Sequence, residues 1–144
     1  MKKIKPIAID VISYLFIGLF LYAAASKLMS YYDFKSQISK SPIITDYADT
    51  LVWLIPLLEI IICGLLFSRK TLLIGLYAST ILMWIFTVYV FAILNLSVQI
   101  PCACGGVFNQ MSWNQHLIFN IAFVGLGFAG IFLKSLPDKS ISKC

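Results

Sequence analysis

Two cysteines, Cys102 and Cys104, stand one residue apart in a chain that is otherwise rich in apolar residues, and two glycines follow them directly. Paired thiols at this spacing can exchange electrons as a dithiol and a disulfide, or they can bind a soft metal ion. A disulfide between them would close a small ring of poor geometry, and such strain makes the bond easy to reduce. The spacing therefore favours an electron carrier over a structural cross-link.

His116 is the only histidine of the chain and lies twelve residues after Cys104. Its imidazole can accept and donate protons for the thiols, or serve as a third metal ligand beside Cys102 and Cys104. The alternative is an interfacial histidine whose nitrogens are satisfied by water or backbone. Asn120 follows four residues later, so on a helix it shares a face with His116 and can orient the ring.

Glu59 is the only acidic residue near the middle of an apolar stretch. An ionised side chain at that depth in a membrane costs about 3 kcal/mol, so we expect Glu59 to be protonated or paired. Lys27, at the end of the first apolar stretch, is placed to reach toward it, and Pro56 loosens the helix three residues before it. Glu59 is interpreted either as a proton relay or polar contact for a membrane quinone, or as a hydrogen bond that holds the helices together.

The elements that position these residues follow from composition. Of the 144 residues, 60% are hydrophobic and only 12% are charged, and the mean hydropathy is +0.93. A water-soluble domain of this size cannot cover so much apolar surface. The excess lies in four stretches, each near the ~20 residues that a membrane-spanning helix needs: residues 7–25, 51–68, 72–94 and 115–133. The sequence therefore predicts an all-α polytopic membrane protein, with one four-helix transmembrane bundle over residues 7–133 and a short basic tail over 134–144.

The distribution of basic residues predicts the orientation of this bundle. With four spans both termini lie on one side, and cytoplasmic loops carry the excess of Lys and Arg. The side of the termini holds eight of the eleven basic residues, namely Lys2, Lys3, Lys5, Arg69, Lys70, Lys134, Lys139 and Lys143. We therefore expect an N-in, C-in protein of the bacterial inner membrane, with Cys102 and Cys104 on the extracytoplasmic side, where disulfides persist. The net charge of +5 is explained by this topology. We therefore expect the protein to contact membrane lipid and not to bind nucleic acid.

Two connections between the spans carry local signals. Residues 26–50 hold several aromatic and isoleucine side chains, which indicate a short amphipathic segment at the membrane interface. Ser112 and Gln115 match the pattern of a capping box, so the fourth helix is expected to begin at Trp113. The cysteine loop would then lead into the outer end of that helix, next to His116.

Several of these residues recur together in a known family. The chain resembles the MauE branch of the DoxX-like membrane proteins over roughly residues 7–133. The resemblance rests on Ala25-Ser26-Lys27-Leu28, Pro56-x-x-Glu59, Cys102-Ala103-Cys104-Gly105-Gly106 and Ser112-Trp113-Asn114-Gln115-His116-Leu117-Ile118-Phe119-Asn120. It implies a small redox-associated four-helix protein in which Cys102 and Cys104 are the redox positions, and Lys27, Glu59 and His116 are polar positions of the family. MauE itself is linked to maturation of the disulfide-rich small subunit of methylamine dehydrogenase, beside a thioredoxin-like partner.

Three hypotheses of function remain open. The first is an inner-membrane thiol–disulfide oxidoreductase that exchanges electrons with an extracytoplasmic thioredoxin-like partner, with His116 handling protons and a membrane quinone as candidate electron source or sink. It uses Cys102 and Cys104 without a metal, and its supporting polar residues are Lys27, Glu59 and Asn120. The second is a soft-metal (Cu, Zn or Hg) binding or transport protein with Cys102, Cys104 and His116 as ligands. The third is a non-catalytic membrane scaffold in which the cysteines are incidental.

Overall fold

The computed structural model describes residues 4–40, 44–96 and 112–136. Every regular element among these residues is helical: α1 (Ile4–Met29), α2 (Tyr31–Ser39), α3 (Ala48–Phe67), α4 (Leu72–Leu96) and α5 (Trp113–Ser135), with a 3-10 turn over Thr45–Tyr47 before α3. Four segments are long and apolar enough to cross a membrane, namely α1, the 3-10 turn together with α3, α4 and α5. The predicted all-α fold with four membrane-spanning helices is confirmed.

Most of the helices extend beyond the apolar stretches that predicted them. α1 takes in Lys5 and Lys27 at its two ends, because backbone hydrogen bonding continues into polar flanks that hydropathy does not mark. α5 begins at Trp113, as its capping box indicates. Ser112 Oγ accepts a hydrogen bond from the Gln115 backbone N–H at 3.3 Å, and the Ser112 N–H donates to Gln115 Oε1 at 3.0 Å. The capping box therefore located the start of this helix more accurately than hydropathy did.

The four spanning helices pack in a closed ring, α1 on α3, α3 on α4, α4 on α5 and α5 on α1. Two contacts stabilise the end of the bundle at which α1 starts and α5 ends. Lys5 Nζ donates to the Leu136 carbonyl at 2.7 Å, and the guanidinium nitrogens Nη1 and Nη2 of Arg69 donate to the Asp10 carboxylate at 2.7 and 3.0 Å. The hydrogen bonds from Arg69 and the charge of Asp10 raise the pKa of Arg69. Residues 4 and 136 and the α3–α4 turn thus share one end, as four spans require.

The distribution of apolar side chains suits a bilayer rather than water. Phe16, Phe20 and Leu76 fill the interior of the ring and are almost completely buried. Large apolar side chains also cover the outside, where Phe67 is 80% exposed and Phe128 is 62% exposed. An apolar exterior of this extent is typical of a surface that contacts lipid tails.

Small residues set the closest helix contacts. Gly127 of α5 packs on Thr80 of α4 so tightly that a Cβ at position 127 would overlap Thr80 Oγ1. At the α3–α4 turn, a Cβ on Gly75 would lie 2.9 Å from the backbone nitrogen of Leu66. Close approach at small residues is a common way for helices to associate in membranes. The α3–α4 pair is therefore closely packed next to its turn.

The short helix α2 lies on the first half of α3. Phe34 and Ile38 of α2 pack in a buried cluster with Ala48 and Val52 of α3. Lys35 Nζ lies 2.7 Å from the Asp49 carboxylate, and this hydrogen bond and charge raise the pKa of Lys35. Because both side chains are well exposed, the apolar cluster rather than the ion pair holds α2 in place. The short amphipathic segment expected between the first two spans is thus a helix, α2, and its location at the membrane interface stays a prediction.

Candidate functional site

An ion pair between α1 and α3 lies inside the bundle. Lys27 stands two residues before the end of α1, and its Nζ lies 2.8 Å from Oε1 of Glu59. The Glu59 side chain is fully buried, and that of Lys27 is 22% exposed. A buried charge is costly without a partner, so the pair explains how α3 carries a carboxyl group near its middle. The reach of Lys27 toward Glu59 that the sequence indicated is present.

Two aromatic rings also surround the Lys27 ammonium. The ring centroids of Phe34 in α2 and Phe86 in α4 each lie 5.8 Å from Nζ. At this distance a ring face attracts a cation, and the attraction grows where water is excluded. Lys27 of α1 therefore contacts side chains of α2, α3 and α4 at one end of the bundle.

The first two turns of α5 present a polar and aromatic face at the same end. Trp113, His116 and Asn120 follow one another at intervals of three and four residues, which places them on one side of the helix. The rings of Trp113 and His116 lie 6.3 Å apart between centroids. His116 is half-buried and Asn120 is only 3% exposed. This face points into the bundle rather than toward lipid.

Most buried polar side chains find a partner within their own helix. The hydroxyls of Ser79 and Thr87 each donate to the backbone carbonyl four residues earlier at 2.7 Å. In contrast, Glu59 Oε2 and Asn120 Nδ2 are buried and have no hydrogen-bond partner among the residues that the structure describes. A buried polar atom in this state costs about 1–3 kcal/mol. Each atom therefore keeps a hydrogen-bonding capacity that the described residues leave unused.

Both of these residues line one cavity of about 360 Å³. Lys27 and His116 belong to the same wall, which is otherwise mostly apolar. The volume falls within the range of small-molecule sites, about 300–1,000 Å³. Three wall residues, Leu54, Leu58 and Ile85, are also exposed on the outside of α3 and α4, so the cavity reaches the lipid-facing surface. The arrangement can accept a mainly apolar molecule with a small polar head.

The cysteines divide between core and loop. Cys63 is buried, and its thiol donates to the Ile17 carbonyl at 3.7 Å, as a small core residue does. Cys102 and Cys104 lie outside the described residues. Within residues 4–40, 44–96 and 112–136, no three His, Cys, Asp or Glu side chains come together as a metal site. The ligand set of the metal hypothesis includes both loop cysteines and stays a prediction.

Comparison with known proteins shows which family the chain belongs to. The model of a family described as methylamine utilisation protein MauE matches residues 5–133. The chain belongs to the MauE family. Together with the four apolar helices, the match makes it a multi-pass membrane protein of that family. The wider DoxX-like grouping stays a prediction. No curated protein and no solved structure matches the chain.

Within this MauE-family bundle, the structure brings four predicted polar residues to one cavity wall. The sequence linked Lys27 with Glu59 and His116 with Asn120, but it did not link the two pairs. It also gave no sign of the rings on Lys27, because Phe34 lies on the separate helix α2 and Phe86 is far from Lys27 along the chain. Trp113 was within reach of sequence reasoning, since its spacing to His116 and Asn120 is that of one helix face.

Proposed function

We propose that this protein is a thiol–disulfide redox protein of the bacterial inner membrane. Cys102 and Cys104 face the extracytoplasmic side and exchange electrons with a thioredoxin-like partner, in support of disulfide exchange or maturation of another protein. The termini and the Arg69–Lys70 turn face the cytoplasm, where basic residues accumulate. The activity is that of an oxidoreductase without a resident metal.

The observation that carries the proposal is the position of His116. It lines the cavity next to Trp113, at the bundle end where α4 stops at Leu96 and α5 starts after the cysteine segment. A half-buried imidazole close in sequence to a thiol pair can take the proton that a thiol loses when it becomes a nucleophile. Membership of the MauE family and the two-cysteine spacing support the same chemistry.

The exchange runs through a mixed disulfide. The thiolate of one cysteine of the pair attacks a partner disulfide, which forms a mixed disulfide and releases one partner thiolate. The second cysteine then attacks the mixed disulfide, which leaves Cys102 and Cys104 joined and the partner as a dithiol. Two electrons pass to the partner, and His116 transfers the two protons that the pair loses toward the partner thiolates. The reverse direction uses the same steps.

A redox titration of purified protein tests the proposal. In a Cys63→Ala/Cys144→Ser variant only the pair can react with a mass-tagged maleimide. After equilibration over a series of dithiol–disulfide ratios, we expect two tags per chain under reducing conditions and none under oxidising conditions, lost together. The same background with Cys102→Ser and Cys104→Ser should carry no tag and serves as the control. Two tags at every ratio would rule the proposal out.

A further inference from the structure

The cavity beside Lys27 combines features that narrow down its occupant. Its wall is mostly apolar and extends to the lipid-facing surface at Leu54 and Ile85, so a molecule dissolved in the membrane can enter from the side. It also holds two buried polar atoms, Glu59 Oε2 and Asn120 Nδ2, without a partner among the described residues. An occupant therefore needs an apolar body and a polar head with hydrogen-bonding capacity.

Charge indicates that this head is neutral. Lys27 is the only Lys or Arg among the described wall residues, and its ammonium is already paired with Glu59 and stacked near two rings. A phosphate group is usually held by several charged donors, and the described wall residues supply one cation, Lys27. A neutral head with oxygen atoms suits these two unpartnered atoms better than a phospholipid headgroup does.

The two unpartnered atoms require hydrogen-bonding groups of opposite kinds. The amide nitrogen of Asn120 can only donate, so it requires an acceptor such as a carbonyl oxygen. An ionised Glu59 Oε2 can only accept, so it requires a donor such as a hydroxyl group, and when protonated the carboxyl group can donate instead. Because Glu59 stands on α3 and Asn120 on α5, a head with two separate oxygens can reach both helices. A quinone ring presents two carbonyl oxygens, and its reduced form presents two hydroxyl groups.

We infer that this cavity binds a membrane quinone, with one ring oxygen accepting from Asn120 Nδ2, a hydroxyl group of the reduced form donating to Glu59 Oε2, and the apolar tail leaving between α3 and α4. The choice of a quinone over another neutral lipid rests on the proposed function, because a thiol pair that cycles between dithiol and disulfide needs a second two-electron partner, and a quinone is one that dissolves in the membrane. When the exchange runs in the reverse direction, the partner dithiol reduces the pair, and the Cys102–Cys104 dithiol and one quinone then give one disulfide and one hydroquinone. A sulfur–sulfur bond forms, and two electrons and two protons move to the ring oxygens.

Trp113 on the cavity wall provides a direct readout of binding. In a Trp53→Phe/Trp84→Phe variant, which alters two lipid-exposed positions, all tryptophan fluorescence comes from Trp113. We expect decylubiquinone added to the protein in detergent micelles to quench this fluorescence with saturation. Quenching that rises linearly without saturation would overturn the inference, because it indicates collisions alone.

Asn120→Leu and Ser79→Ala form a matched pair in the same single-tryptophan background. Both remove a buried polar group, but Ser79 is outside the cavity and bonded within α4. We expect Asn120→Leu to raise the apparent Kd for decylubiquinone about tenfold, the effect of one lost hydrogen bond. Ser79→Ala should leave it within about twofold. Since replacing an unpartnered amide by an apolar group of similar size does not harm folding, a Kd unchanged in Asn120→Leu would refute the assigned contact.

Competition separates a quinone from other lipids. 1-Decanol carries a similar tail and one hydroxyl group, and it should displace decylubiquinone only at far higher concentration. Equal displacement would show a general site for neutral lipid tails and would overturn the inference. Binding is also independent of the thiols, so Cys102→Ser/Cys104→Ser protein should bind decylubiquinone as well as the parent. A failure of the thiol titration and a failure of quinone binding are therefore distinguishable.

Discussion

The two carboxylate oxygens of Glu59 are in different situations, and this difference defines the site at the scale of the residue. Oε1 is held by Lys27 at 2.8 Å, whereas Oε2 is buried with no partner among the described residues. The pair stabilises the bundle only while both charges are present, because each charge is removed from water and would be costly without the other. One side chain thus joins two helices and still offers an acceptor to a ligand.

Removing one charge of this pair should cost more stability than removing both. Lys27→Met keeps the apolar stem and leaves Glu59 buried without a counter-charge, so we expect the free energy of unfolding to fall by about 3 kcal/mol. Lys27→Met/Glu59→Leu leaves no buried charge and should recover most of that loss. Unfolding in mixed detergent micelles, followed by circular dichroism, measures both. A double variant as unstable as Lys27→Met would show that buried charge is not the source of the loss.

The residue scale also marks how far sequence reasoning extends. The Lys27–Glu59 contact was predictable because each is an isolated charge next to an apolar stretch, and an isolated buried charge needs a partner. The contacts of Phe34 and Phe86 with Lys27 were not predictable, because the sequence does not tell how α2 and the faces of the four apolar helices pack together. The cavity also results from how the helices pack, so no local pattern in the sequence predicts it.

At the scale of the elements, hydropathy predicted the four spans and the Ser112–Gln115 capping box predicted where α5 begins. The order in which the helices pack depends instead on where small residues allow close approach. Gly127 on Thr80 is such a place between α4 and α5, and Gly125 on the same helix has no atom within 4 Å of its added Cβ. These two glycines look alike in the sequence and differ only in their surroundings.

The two glycines allow a controlled test of this packing. Gly127→Ala should lower the free energy of unfolding by about 1–3 kcal/mol, because its methyl group overlaps the Thr80 side chain. Gly125→Ala adds the same methyl group in open space and should be neutral or slightly stabilising. Adding Thr80→Ala to Gly127→Ala should relieve the overlap and restore part of the loss. Equal melting temperatures for Gly127→Ala and Gly125→Ala would contradict the α4–α5 contact.

At the scale of the whole molecule, the bundle has two unlike ends. One end holds Lys5, the Asp10–Arg69 pair and the last residues of α5. The other end holds the Lys27–Glu59 pair, α2 and the first turn of α5. The expected orientation puts the first end in the cytoplasm and the second outside, on the side of Cys102 and Cys104. The thiol pair and the proposed quinone cavity would then meet at the extracytoplasmic end.

The central claim, a redox-active thiol pair outside the membrane, is tested most directly in spheroplasts that express the Cys63→Ala/Cys144→Ser variant. The membranes are exposed to an impermeant oxidant, oxidised glutathione, or to an impermeant reductant, tris(2-carboxyethyl)phosphine, and then denatured and tagged with maleimide. We expect no tag after the oxidant and two tags after the reductant, in a reversible manner. Two tags under both conditions, or switching only with membrane-permeant reagents, would contradict the account.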